Sequence, residues 1–167
     1  PEYLKDVDDL YYALGRDEAT DRRVLRAVSV ARAGERRGVK APWRIVEPAS
    51  VLAELRLRKN ETEIATLRRA VEISREAHRL ALERVRRGMA EYEVEALLLH
   101  TFRRHGGDAA YTPIVAAGAN ATVLHYVDNA ARMRDGDLLL IDAGAEVDWI
   151  ASDVTRTFPV GRRFSPE

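Results

Sequence analysis

Residues 138–158 read Leu138-Leu139-Leu140-Ile141-Asp142-Ala143-Gly144-Ala145-Glu146-Val147-Asp148-Trp149-Ile150-Ala151-Ser152-Asp153-Val154-Thr155-Arg156-Thr157-Phe158. The run from Leu138 to Ile141 is apolar throughout, as expected of a strand buried on both faces, and Asp142 ends it. A carboxylate in that position needs a partner. Asp153 follows eleven residues later, just before a second strand-like run within 149–160. In a hairpin whose turn centres on Val147-Asp148, the two aspartates stand directly opposite each other, with Cβ atoms about 4.5–5.5 Å apart. A loop of two or four residues keeps that centre. Carboxylates so placed must share a proton or hold a cation. Oxygen-only ligation suits Mn²⁺ or Mg²⁺, and two carboxylates on one ladder can bridge a metal pair about 3.5–4 Å apart. The alternative is that one aspartate serves a turn or a cap and the pairing is accidental.

Upstream of this hairpin, 112–115 and 122–127 are further short strand-like runs; the turn signal Gly118-Ala119-Asn120 separates them, and Arg134-Asp135-Gly136-Asp137 separates the second from the run at 138–141. Before them come two helices. The first spans about 61–86, with Ile64, Leu67, Val71, Ala77, Ala81 and Val85 on one face. Gly88 ends it. The second spans about 91–104, with Val94, Leu97, Leu98 and Phe102 inward, and Gly106-Gly107 stops it. Helices followed by clustered strands predict an α+β layer with the helices on one face of an antiparallel sheet. Nearer the start, residues 10–14 read as a strand turning at Gly15. Asp21 is positioned to cap a helix over 22–33 that Gly34 and Gly38 stop. Residues 41–48, bracketed by Pro42 and Pro48, read as an extended linker. A short helix covers 50–57.

His125 lies on the 122–127 run, either as a ligand, proton shuttle or oxyanion donor, or as an interior residue with its hydrogen bonds met. His78, His100 and His105 read as solvent-facing. Ser152 lacks a Gly-x-Ser-x-Gly setting, which leaves a serine nucleophile unsupported. Gly118-Ala119-Asn120 has neither dinucleotide nor phosphate-loop spacing.

The composition agrees with one folded domain's worth of chain and excludes several alternatives. The chain has 167 residues, 46% hydrophobic and 32% charged, with 27 bases against 27 acids. Net neutrality offers no bulk attraction to nucleic acid or to an anionic membrane. Without cysteine there is no disulfide scaffold, thiolate ligand or cysteine nucleophile, which fits a reducing cytoplasm. No run reaches the ~18 apolar residues of a membrane span. Charge is uneven, however: residues 1–21 carry seven acids and two bases, and residues 22–59 carry eleven bases and three acids. The basic stretch, with Arg22, Arg23, Arg26, Arg32, Arg36, Arg37 and Lys40, is read as a solvated face pairing with the acids before it, because no aromatic lies among those residues to stack on a base. A nucleic-acid patch is the alternative. The chain begins at Pro1 and ends at Phe164-Ser165-Pro166-Glu167, a helix opening, so it is expected to be a fragment.

At residue level the sequence resembles one family. Ile141-Asp142-Ala143-Gly144-Ala145-Glu146, with Ser152-Asp153-Val154-Thr155-Arg156-Thr157-Phe158-Pro159-Val160, is very similar to the metal-binding hairpin of the Xaa-Pro aminopeptidases (aminopeptidase P). These enzymes share the pita-bread fold with prolidase, creatinase and methionine aminopeptidase. Leu124-His125-Tyr126 matches the family's catalytic-histidine segment. Glu54-Leu55-Arg56, with Lys59 through Ala70, resembles the entry to the catalytic domain. Residues 9–15 resemble the last part of the amino-terminal domain. The resemblance implies that residues 1–48 end a smaller amino-terminal α/β domain. Residues 49–167 would then begin a pita-bread catalytic domain. It further implies two Mn²⁺ ions in the complete protein, Asp142 chelating one and Asp153 bridging both. A hydroxide activated by the ions would attack the bond between an amino-terminal residue and a following proline. His125 would contact the substrate or the tetrahedral intermediate. From its position alone, Thr155 is expected to orient Asp153. A histidine and two glutamates that complete the family's site lie further downstream, so this chain alone is expected to be inactive. The complete protein is expected to be a cytoplasmic homo-oligomer that acts on peptides with proline second and on neither nucleic acid nor membrane. Rival readings are a prolidase, a non-catalytic binding module on the same fold, and a structural fragment with an exposed sheet edge. Two departures stand out: Trp149 replaces a common turn glycine, and Ala90 replaces a Thr or Ser cap.

Overall fold

The computed structural model describes residues 2–35, 38 and 40–161. The chain divides into two compact units, residues 1–58 and 59–167. The boundary expected after residue 48 precedes α2 (Ala49–Leu57), which falls within the first unit.

In the first unit, β1 (Asp9–Tyr11) pairs in parallel with β2 (Arg44–Val46), placing Leu10 opposite Ile45. Parallel neighbours need a crossover, and α1 (Glu18–Ala33) supplies it. The stretch read as a linker therefore contains a strand. β-branched Ile45 and Val46 favour it, and Pro42 and Pro48 bracket the ladder without entering it. The Arg44 guanidinium forks onto Asp9 at 2.5 and 2.8 Å. α1 starts four residues earlier than expected. Its cap is Asp17, whose carboxylate accepts the Thr20 N–H at 2.8 Å. Asp21 sits inside the first turn and accepts from the Tyr12 hydroxyl at 2.7 Å and the Gly15 N–H at 2.9 Å. Of the basic stretch, Arg22 pairs with Glu18 at 3.3 Å and Lys40 with Asp8 at 2.7 Å. Arg36 and Arg37 lie outside the described residues, as does the helix opening expected at 164–167.

The second unit opens with α3 (Glu61–Arg84). Asn60 caps it by accepting the Glu63 N–H at 2.9 Å, and Glu63 accepts the Asn60 N–H at 2.7 Å in return. Its buried face is Ala70, Ile73, Ser74, Ala77, His78 and Ala81. Ile64 and Val71, expected inward, are 41% and 40% exposed. Small side chains mark the inner face here because they let the helix approach the sheet closely. His78, expected in solvent, is buried and bonded through Nδ1 to the Ser74 carbonyl at 2.9 Å. α4 (Glu91–Arg104) has the expected bounds and buries Val94, Leu98 and Phe102. Ala90 supplies no capping side chain, and Glu93 instead accepts the Ala90 N–H at 2.7 Å. Among the described residues no helix is long and apolar enough to cross a membrane.

Two antiparallel sheets follow. One has the order β4 (Ile114–Ala117), β5 (Leu138–Asp142), β8 (Thr155–Pro159). The other has the order β3 (Asp108–Ala109), β6 (Ala145–Val147), β7 (Ile150–Ala151). Val115, Ala117, Leu139 and Ile141 join α3 and α4 in one apolar core, so the helices do cover one face of the sheet. The run 122–127 is not a strand: Gly118–Thr122 forms a 3₁₀ turn and the residues after it are irregular. Its apolar residues do not mark a buried ladder, since Val123 is 53% and Leu124 84% exposed.

Helix and hairpin are tied at one buried polar point. Ser74 and Ser152 share a hydrogen bond at 2.8 Å, and the Ala145 N–H donates to the Ser74 hydroxyl at 2.8 Å. Ser74→Ala deletes both of these buried bonds, although the Ala145 N–H keeps the Ser152 hydroxyl at 3.1 Å and that hydroxyl keeps the Ala145 carbonyl at 3.0 Å. It is expected to destabilise the second unit by about 1–3 kcal/mol. Urea unfolding of the variant checks this, and a loss below about 0.5 kcal/mol contradicts it.

Candidate metal centre

The hairpin turn is one residue further on than the sequence reading placed it. Val147 pairs with Ile150, so the turn is Asp148-Trp149, and Asp142 stands opposite Thr155 and not Asp153. Both turn residues have positive φ, +48° and +66°, as a two-residue turn matching the twist of its strands requires. The shift is a whole step along the ladder, so it keeps each side chain on its face. Asp142 and Asp153 become diagonal neighbours on the same side.

They still converge. The Tyr111 hydroxyl lies 2.5 Å from Asp142 Oδ1 and 2.9 Å from Asp153 Oδ1. Tyr111 reaches them because Ile114, the first residue of β4, pairs with Asp142, so the chain just before β4 passes the end of β5. Desolvation, then the hydrogen bonds to the two carboxylates, push the tyrosine hydroxyl well above its ordinary pKa and keep it a donor. A cavity of about 380 Å³ opens here, lined by Tyr111, Thr112, Ile114, His125, Val127, Asp142 and Asp153. His125 thus shares a wall with both aspartates, although it arrives on an irregular loop with φ +56°.

Two carboxylates around one hydroxyl form a donor set of hard oxygens. Among the described residues no third histidine, aspartate or glutamate joins them in a cluster. The family model of metallopeptidase family M24 matches residues 65–167. The chain belongs to family M24.

The Xaa-Pro aminopeptidase of Escherichia coli strain K12 is 44% identical to this M24 chain over 163 residues, 97% of this chain and 37% of that protein. The structure of Pseudomonas aeruginosa aminopeptidase P covers 99% of this chain at 46% identity and a TM-score of 0.92, and this chain covers 38% of it. A zinc-substituted Escherichia coli aminopeptidase P in complex with product aligns with a TM-score of 0.92 at 43% identity, again over 99% of this chain and 38% of its own. The M24 chain therefore spans somewhat over a third of the length of these relatives. The fold is that of the aminopeptidase P structures over nearly all 167 residues.

Sequence reasoning missed two site residues. Tyr111 has no local spacing that links it to positions 142 and 153, and only the β4–β5 register brings it there. Glu91, fully buried behind the His125 loop, reads in the sequence as an ordinary acidic residue of a helix first turn. Thr155, expected to orient Asp153, instead pairs with Asp142. Among the described residues no hydrogen bond joins its hydroxyl to Asp153.

Proposed function

We propose that the complete protein is a divalent-metal Xaa-Pro aminopeptidase, cleaving the bond between an amino-terminal residue and a following proline. The observation that carries this reading is the convergence of Asp142 and Asp153 on one hydroxyl, in a cavity that His125 also lines. In this reading residues 1–48 end an amino-terminal domain, and residues 49–167 begin the pita-bread catalytic domain. Mn²⁺ is the metal and the assembly is a homo-oligomer.

Asp142 and Asp153 would hold the ions. The donor chemistry fits, since carboxylate oxygens suit Mn²⁺. Two side chains are too few to close a site, so further ligands come from outside these 167 residues. When bound, the ions supply positive charge that polarises a peptide carbonyl and lowers the pKa of water. This chain's own residues do the rest. Tyr111 fixes the rotamers of both carboxylates by donating between them, which sets the separation of whatever they grip. His125, lining the same cavity, donates a hydrogen bond toward the carbonyl oxygen as negative charge develops there. Val127 and Ile114 give the cavity an apolar side against which a proline ring can pack.

The test uses the complete protein, purified and supplied with Mn²⁺, and a Gly-Pro-containing tripeptide. Release of the first residue is expected, and a chelator should abolish it. No release with any of several divalent ions overturns the reading, and cleavage confined to the free dipeptide assigns prolidase activity instead. The 167-residue chain alone is expected to release nothing.

A further inference from the structure

We propose that Glu91 is a positioning residue which, through Tyr126 and Asn120, holds the loop carrying His125 in the one conformation that keeps the imidazole at the cavity. The inference rests on the catalytic reading of His125 given above. Glu91 is fully buried, and a buried carboxylate is costly unless its lone pairs are met. They are met four times, and among the described residues never by a cation. Oε1 accepts from the Ala117 N–H at 2.8 Å and the Asn120 Nδ2 at 3.1 Å. Oε2 accepts from the Tyr126 hydroxyl at 2.8 Å and the Ala131 N–H at 2.8 Å. As the first residue of α4, it also lies where the helix dipole favours negative charge.

The origin of those donors is what makes Glu91 more than a cap. Ala117 and Ala131 sit at the two ends of the loop, and Asn120 and Tyr126 come from inside it. One side chain therefore gathers the whole excursion. Tyr126 extends the clamp, because its hydroxyl receives Asn120 Nδ2 at 3.0 Å and the Ala130 N–H at 3.3 Å. Tyr126 immediately follows His125, whose φ of +56° is disfavoured for a residue with a Cβ. Such a conformation persists only where its surroundings over-determine it. Apolar packing does not do this, since Leu124 on the other flank is 84% exposed. A second pin holds the loop further on: Asn129 accepts the Val115 N–H at 2.9 Å and donates to the Pro113 carbonyl at 2.9 Å. That pin leaves the segment 118–126 to Glu91 and its partners.

Glu91→Ala risks misfolding, so the decisive variant is Tyr126→Phe in the complete protein, which deletes one hydroxyl. Hydrogen exchange gives a readout independent of activity. Amides of 117–131 are expected to exchange at least about tenfold faster in the variant, with those of β5 and β8 unchanged. Unchanged exchange at 117–131 overturns the clamp, whether or not the protein proves to be an aminopeptidase. On the Gly-Pro tripeptide, kcat is expected to fall about 10- to 100-fold with KM within about twofold, the signature of a displaced catalytic group. In a His125→Ala background the same substitution should cost less than about twofold, because there is no longer an imidazole to position. Equal losses in both backgrounds overturn the inference. Faster exchange together with an unaffected rate for His125→Ala supports the clamp and overturns the catalytic reading of His125 instead.

Discussion

Asp153→Asn in the complete protein is expected to abolish peptide hydrolysis while leaving the metal-free fold as stable as before, or slightly more so. On the proposed reading the two effects have opposite signs because one pair of side chains serves both. For catalysis, the amide keeps an oxygen but loses the charge with which Asp153 would bridge two cations. A fall of about a thousandfold or more, equivalent to about 4 kcal/mol of barrier, is the expected scale. For stability, the native arrangement brings two like charges to one hydroxyl, which has a single proton for Asp142 and Asp153. Asparagine removes one of those charges and can donate its own N–H to Asp142. Asp153 is exposed, so solvent screens the repulsion and the gain is at most about 1 kcal/mol. The comparison reverses once metal is added. A site loaded at a hundred times its Kd stabilises the wild type by about 2.7 kcal/mol, and the variant forgoes most of that. Thermal unfolding with chelator and with Mn²⁺, alongside the tripeptide assay, reads all three signs. Activity within tenfold of wild type, or a metal-free variant markedly less stable than wild type, sinks the metal-ligand reading of Asp153.

How much of this was legible in the sequence depends on whether the signal was local. The hairpin is visible because its strands and its two aspartates lie within one short stretch, Leu138 to Pro159. α4 was visible because its apolar spacing and its stop signal are local too. The register was not, since the turn rests on Asp148 and Trp149 both adopting positive φ, and tryptophan does not announce that conformation. A turn placed one residue early turns the diagonal pair of aspartates into a direct one, yet the face is unaffected, and the two carboxylates still meet at the Tyr111 hydroxyl. The 122–127 run reads as a strand because its residues are apolar, whereas the loop is held by polar side chains reaching Glu91, far earlier in the chain. The inner face of α3 was misread for a related reason. Ala70 and Ser74 are poor markers of burial by hydrophobicity, and it is their smallness that admits the sheet and the Ser152 hydroxyl.

The same register sets up the largest expected loss of stability, from Gly144→Ala. Gly144 lies between β5 and β6, where the ladder that carries Asp142 gives way to the one that carries the turn. Its φ is not in the left-handed region, so conformational freedom is not what demands glycine. Space demands it. A Cβ there would fall 1.7 Å from the Ser152 carbonyl oxygen, 2.6 Å from its carbon and 3.1 Å from the Asp153 nitrogen. All three are backbone atoms. No rotamer change relieves the clash, so the strands must part. They cannot part freely, because the Ala143 N–H donates to Val154 at 3.1 Å and the Ser152 N–H to Ala145 at 2.9 Å on either side, and Ser152 is tied to α3 as well. Relieving the overlap breaks several of these bonds at once and moves Asp153 relative to Asp142. A loss above about 4 kcal/mol is expected, in the range reserved for substitutions that overpack a core or sever a buried network. Such a loss is large against the 5–15 kcal/mol that typically holds a domain together. The variant should therefore unfold at far lower urea than Ser74→Ala, which removes one hydroxyl from the same junction. Any Gly144→Ala protein that remains folded should hydrolyse peptide poorly even in excess Mn²⁺, since its carboxylates no longer meet. A Gly144→Ala midpoint within about 1 kcal/mol of wild type would show that the strands are not pressed together at this point, and that the closeness of the two aspartates needs another cause.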